Sequence, residues 1–137
     1  MKPHYELSGP EDAPVVVLGN SLGTTTALWD RQLPVLHRRF RVLRYDHRGH
    51  GGSGAVDGPY RIDDLADDVL ELLDALGLAR VSYCGVSMGG MVGMWLAGHA
   101  PERIERLVLC CTTAGFATAQ PWLERAAAVR ESGTGSL

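Results

Sequence analysis

The stretch Tyr83-Cys84-Gly85-Val86-Ser87-Met88-Gly89-Gly90 constrains the fold more than any other. It joins an apolar run beginning at Val81 to a helix-like run from Met91 to Ala100, through a turn with glycine on both sides of a serine. Glycine two residues before and two residues after Ser87 is what a sharp strand-to-helix turn requires, since a Cβ at either place would strike neighbouring backbone. Such a turn lifts a serine hydroxyl clear of a sheet. It also aims the N–H of Met88 into the same space from the positive end of the following helix, where a developing oxyanion would be held. An ordinary serine in a glycine-rich turn satisfies the same pattern, and the rest of the chain has to decide between the two readings.

Strands and helices alternate around this turn. Tyr5 to Leu7 reads as a short edge strand, and Val15 to Leu18 as a strand buried on both faces that ends in the loop Gly19-Asn20-Ser21-Leu22-Gly23. Leu28, Trp29, Leu33 and Leu36 recur at helical spacing and predict a crossover helix as far as Arg39. Phe40 to Tyr45 is the next strand, and it runs into a glycine-rich loop from Asp46 to Gly54. The stripe Ile62, Leu65, Val69, Leu72, Leu73 and Leu76 predicts an amphipathic helix that Gly77 stops. Val81 to Gly85, Met91 to Ala100 and Ile104 to Cys111 then read as strand, helix and strand, with a further helix from Trp122 to Arg130 started by Gln120-Pro121 and a polar loop from Glu131 to Leu137. The pattern predicts an α/β fold with a doubly wound, mostly parallel sheet.

Ligands of such sheets bind beyond the carboxyl ends of the strands, where the loops Gly19 to Gly23, Asp46 to Gly54 and Gly85 to Gly89 meet. The first loop precedes the serine and is placed to give a second oxyanion N–H, from Ser21 in preference to Leu22. Asn20 and Ser21 are equally ordinary turn residues. His47 and His50 stand three apart, but without a nearby cysteine or carboxylate pair they make a poor metal site, and no metal or cofactor is expected. Asp46 and Arg48 read as braces of their loop, and Asp63, Asp64, Asp67 and Asp68 as a solvated helix face. Met88, Met91, Met94 and Trp95 read as core packing around the serine helix, with a pocket lined by one or two of them as the alternative.

A formal charge of −3 without a basic block argues against nucleic acid or an anionic membrane, and favours a small-molecule partner. The N-terminus carries no apolar leader and no run long enough to span a bilayer, so a cytoplasmic protein is expected. Cys84, Cys110 and Cys111 are odd in number and lie in apolar runs, as buried reduced thiols do.

Taken together, Gly19-Asn20-Ser21-Leu22-Gly23-Thr24, Arg44-Tyr45-Asp46-His47-Arg48-Gly49-His50-Gly51 and Cys84-Gly85-Val86-Ser87-Met88-Gly89-Gly90 strongly resemble the α/β-hydrolase superfamily. Within it the likeness is to 3-oxoadipate enol-lactonases, to which Ala100-Pro101-Glu102-Arg103 and Leu107-Val108-Leu109 also contribute. The resemblance implies cofactor-free hydrolysis of an enol-lactone, with Ser87 as nucleophile and the N–H groups of Ser21 and Met88 as oxyanion donors. Other carboxylic-ester hydrolases and perhydrolases share the scaffold, and a non-enzymatic chain that needs a partner is the alternative of another class. The superfamily places its acid and its histidine after the nucleophile in chain order, and this sequence ends before the strands that would carry them. Residues 1–116 then correspond to the first part of the hydrolase core and 117–137 to the start of its cap. The C-terminal half of the fold is expected from the rest of the protein or from a second polypeptide.

Overall fold

Valine and leucine runs that have nowhere to go but a two-sided interior build the centre of the molecule. The computed structural model describes residues 2–133. Tyr5–Ser8 (β1), Val15–Gly19 (β2), Arg41–Tyr45 (β3), Val81–Val86 (β4) and Ile104–Cys110 (β5) form one sheet in the order β1-β3-β2-β4-β5. Its four inner and right-hand strands are parallel, and β1 pairs antiparallel with β3 through Tyr5↔Tyr45 and Leu7↔Leu43. The sheet is therefore mostly parallel, as the alternation predicts, with an antiparallel strand at one edge.

Strand alternation divides β2 between two cores. Val17 faces the larger one, with Leu43, Tyr83 and the helices Ile62–Ala75 (α2) and Met88–His99 (α3), which contribute Leu65, Val69, Leu72, Leu73, Val92 and Leu96. Val16 and Leu18 face the other, against Trp29, Leu33 and Leu36. Helices thus cover both faces, and the carboxyl ends of β2, β3 and β4 come out side by side. Gly77, at φ 67, stops α2 where the sequence places the stop: its N–H bonds to Asp74 O at 3.0 Å and the Leu78 N–H to Leu73 O at 2.8 Å.

Several boundaries differ from those read off the sequence. The predicted helix from Leu28 to Arg39 is instead a 3-10 turn over Thr26–Trp29 and a single turn, Leu33–Leu36 (α1), because Pro34 has no N–H to continue a ladder from residue 30 and fits only a first turn. α3 begins at Met88, directly after the serine, and β5 stops at Cys110 because Cys111 turns to φ 47. The last helix, Gln120–Ser132 (α4), starts at the predicted Gln120-Pro121 but takes in Glu131 and Ser132 of the expected polar loop, while 134–137 of that loop lie outside the described residues. Pro121 sits in its first turn, where a missing N–H costs nothing.

The closest packing lies where α3 meets the ends of β2 and β4. A Cβ on Gly85 would run into the carbonyl of Gly89, and a Cβ on Gly89 into the carbonyl of Gly19, with Asn20 O only 2.8 Å away. Backbone stands on both sides and has no rotamer to yield. Gly89→Val is therefore expected to cost about 3 kcal/mol or more, read as a lower urea midpoint at unchanged m-value. A midpoint equal to the parent's would mean that the turn is looser than these contacts require.

Candidate active site

Ser87 occupies the bend between β4 and α3 with φ 52 and ψ −115, a conformation that a residue with a side chain adopts only when its surroundings impose it. They do so from both sides. The Ser87 N–H donates to Cys110 O at 2.9 Å, and its carbonyl accepts from Met91 N at 3.1 Å and from the Thr112 hydroxyl at 2.7 Å. The serine side chain makes no capping bond to the helix it precedes, so its hydroxyl is not spent on structure. Met88 is the first residue of α3, where a backbone N–H has no acceptor within the helix.

Asn20 joins the first loop to everything around it, and it is fully buried. Its carbonyl accepts from Gly89 N at 2.9 Å and lies 3.1 Å from His47 Nε2, its side-chain oxygen accepts from Trp29 Nε1 at 2.8 Å, and its amide nitrogen donates to Tyr45 O at 2.8 Å. Every polar group of the side chain and the carbonyl is thereby engaged, and the loop is locked to the serine turn. Ser21 follows directly, half-buried, and Leu22 is exposed. The structure thus brings Ser87, Met88 and the loop of Ser21 into one region, as expected of strands that end side by side. Asn20 reads in the sequence only as a turn residue, and nothing in its neighbours signals its role. Beneath the turn, Tyr45 donates to Tyr83 at 2.8 Å and Tyr83 to Gly89 O at 3.1 Å, so two buried phenols support the first turn of α3.

The second loop is braced from within. Asp46 accepts from Thr26 N at 2.8 Å and Gly52 N at 2.9 Å. Arg48, expected to share an ion pair within its loop, reaches α2 instead and makes two bonds to Asp68, at 2.7 and 2.8 Å. Asp68 is 3 % exposed and does not belong to the solvated face assigned to it from sequence. A helix face read as polar conceals such a residue when its partner comes from a distant loop. The cysteines also differ from expectation, for Cys84 and Cys110 are half-buried and Cys111 is exposed. Met88 and Trp95 pack on the larger core, and Met91 and Met94 stay half-buried beside them.

The two histidines serve backbone groups rather than each other. His50 Nε2 accepts from Gly23 N at 3.0 Å, and its Nδ1 donates to Arg48 O at 3.1 Å. His47 has the opposite tautomer: Nε2 donates to the Asn20 carbonyl, which leaves Nδ1 a buried lone pair without a partner. Burial pushes the His47 imidazole down from 6.5 to about 4, chiefly because the cation would lose its hydration there. His99, which alone among the histidines follows the serine in the sequence, closes the far end of α3. Its Nδ1 donates to Trp95 O at 2.9 Å and its ring stacks on Trp95, too distant along the helix to reach Ser87.

The His47 environment has a measurable consequence. The folded protein refuses a proton that the unfolded chain accepts below pH 6.5, so its contribution is complete above that pH and is lost as the pH falls towards 4, by on the order of 3 kcal/mol. His47→Gln keeps an amide donor for Asn20 and cannot titrate. Urea unfolding between pH 7 and 4 is expected to show a shallower loss of stability in this variant than in the parent, and parallel curves would contradict the assignment.

The alpha/beta hydrolase fold family matches residues 14–132. The 3-oxoadipate enol-lactonase 2 of Acinetobacter baylyi is 44 % identical over 130 residues, which is 95 % of this chain and 49 % of that protein. Among solved structures, the enol-lactonase of Burkholderia xenovorans superposes with a TM-score of 0.95 at 46 % identity, over 98 % of this chain and 52 % of that one. A hydrolase from Pseudomonas aeruginosa gives 0.91 at 55 % identity, over 93 % and 48 %. The chain spans about half the length of the relatives it matches. Sequence and overall fold agree with these proteins across nearly the whole chain, which belongs to the α/β-hydrolase family.

Proposed function

We propose that the complete protein hydrolyses a carboxylic ester, specifically the enol-lactone of 3-oxoadipate, with Ser87 as its nucleophile. The observation that carries this reading is the Ser87 backbone at φ 52 and ψ −115, held by three hydrogen bonds while its hydroxyl is left unused for capping. Backbone strain of this kind persists where a side chain has to be presented. The Ser87 hydroxyl oxygen attacks the lactone carbonyl carbon as a base takes its proton. The ring C–O bond then breaks, the enol oxygen takes that proton while still tethered to the acyl chain and the enol becomes the ketone, and water hydrolyses the acyl-serine to free the acid and restore the Ser87 hydroxyl. The similarity to proteins named 3-oxoadipate enol-lactonase supports the choice of substrate.

Two backbone N–H groups are needed for the oxyanion, and Met88 supplies one from the start of α3. We assign the other to the first loop, where Ser21 and Leu22 are the candidates and the orientation of one peptide plane bears on the choice. In a trans peptide the carbonyl and the next N–H point in opposite directions. The Asn20 carbonyl is directed at Gly89 N on α3, which turns the Ser21 N–H away from that helix and favours Leu22 as the donor.

In this reading the chain supplies the nucleophile and the donors, and the base comes from the rest of the protein. We place the acid and the histidine in the half of the fold that this chain does not span, on strands that continue the sheet from the edge of β5. Val108 and Leu109 on that strand are 53 % and 42 % exposed, apolar surface that a following layer would cover. We assign 117–137, with α4, to the start of a cap and the protein to the cytoplasm. Among the described residues no helix is long and apolar enough to cross a membrane.

Ser87→Ala in the complete protein is expected to lower kcat for the enol-lactone by about 10⁴-fold or more, with a melting temperature near the parent's. Turnover within tenfold of the parent's would remove Ser87 from the mechanism.

A further inference from the structure

Two guanidinium groups that form no ion pair among the described residues line the cavity that lies against the first loop. The cavity, of about 530 Å³, is bounded by Leu22–Thr25, by the 49–51 segment of the second loop and by one side of α4 from Trp122 to Arg130. Arg125 and Arg130 both line it, together with Ala126 and Val129, and no aspartate or glutamate does so among the described residues. Neither arginine makes an ion pair among the described residues, although Arg44, Arg48, Arg61, Arg103 and Arg106 all do. Arg125 is also held in place: its guanidinium lies 5.6 Å from the centre of the Trp122 ring, which itself leans on Phe116 at 4.8 Å. Two cations on a mainly apolar wall, with no carboxylate among the described lining residues, are complementary to an anion attached to an aliphatic chain.

The cavity and the serine turn share the first loop. Asn20 is bonded to Gly89 beside Ser87, and Leu22, two residues on, lines the cavity. Ser87 does not line it, so a molecule reaching from one to the other places its charged end away from its reacting carbonyl. We infer that Arg125 and Arg130 bind a free carboxylate at the far end of the substrate, and so select short aliphatic esters or lactones that keep one acid group. This inference rests on the hydrolase reading above. It agrees with the chemistry of a lactone made from a dicarboxylic acid, in which ring closure consumes one carboxyl group and leaves the other charged.

The test uses the complete protein and two esters that differ only in charge, the 4-nitrophenyl half-ester of adipic acid and its methyl diester. The parent is expected to prefer the acid. Arg125→Gln combined with Arg130→Gln is expected to raise KM for the acid tenfold or more with kcat within threefold, and to leave the neutral diester within twofold. Equal losses on both esters, or no loss on either, would overturn the inference. A second measurement needs neither turnover nor the variant: calorimetric titration of the parent with monomethyl adipate and with dimethyl adipate. Binding of the acid at least tenfold tighter than the neutral ester supports the carboxylate site, and equal binding or none overturns it. A parent that binds the acid but cleaves neither ester contradicts the hydrolase reading while leaving the carboxylate site standing.

Discussion

The hydrogen bond from Gly89 N–H to Asn20 O, 2.9 Å long, is the contact on which the arrangement depends. It fastens the first turn of α3 to the end of β2, and it forms only because Gly19, Gly85 and Gly89 let three backbones approach where side chains would collide. From that one contact follow the direction of the Asn20 peptide and the position of the first loop over α3, while bonds to Cys110 and Thr112 hold Ser87 at positive φ. The sheet supplies the frame: β2 and β4 are parallel neighbours whose register sets Gly19 beside Gly85. The chemistry is positioned by packing that leaves no room for anything larger than hydrogen.

Buried polar groups then fix the loops that the apolar core cannot hold. Asn20, Asp46, Arg44 and His47 are all buried, and they bond mainly to backbone groups of the loops and strand ends around them. A satisfied polar group in a low-dielectric interior specifies one geometry, because any rearrangement strands a donor or an acceptor. His47 and Arg44 depart from this pattern, with Nδ1 and Nε unpartnered among the described residues, and burial is what keeps His47 in the neutral form. The Tyr45–Tyr83 pair extends the same device under the turn, from the ends of two strands to the Gly89 carbonyl.

The regular elements were legible because their signals are local. The α2 stripe with its Gly77 stop, the three inner strands and the turn at Ser87 appear in the sequence almost where they stand in the structure. The first crossover misled because Leu28, Leu33 and Leu36 keep helical spacing while Pro34 interrupts the hydrogen bonding, and a hydrophobic pattern does not register a missing N–H. Asp68 and Asn20 misled for another reason. Each looks like a surface residue among its neighbours, and each is buried by a partner 20 or more residues away, Arg48 in one case and Tyr45 in the other. The choice between Ser21 and Leu22 depends on the orientation of a single peptide plane, which no residue pattern encodes.

The central claim is that this turn presents an activated serine once the fold is complete. Reaction of the complete protein with a fluorophosphonate, followed by peptide mapping by mass spectrometry, tests it most directly, because only a serine whose hydroxyl is activated and free reacts readily. The account predicts stoichiometric modification of Ser87 and of no other residue. An unmodified protein, or a label on any other side chain, would contradict it.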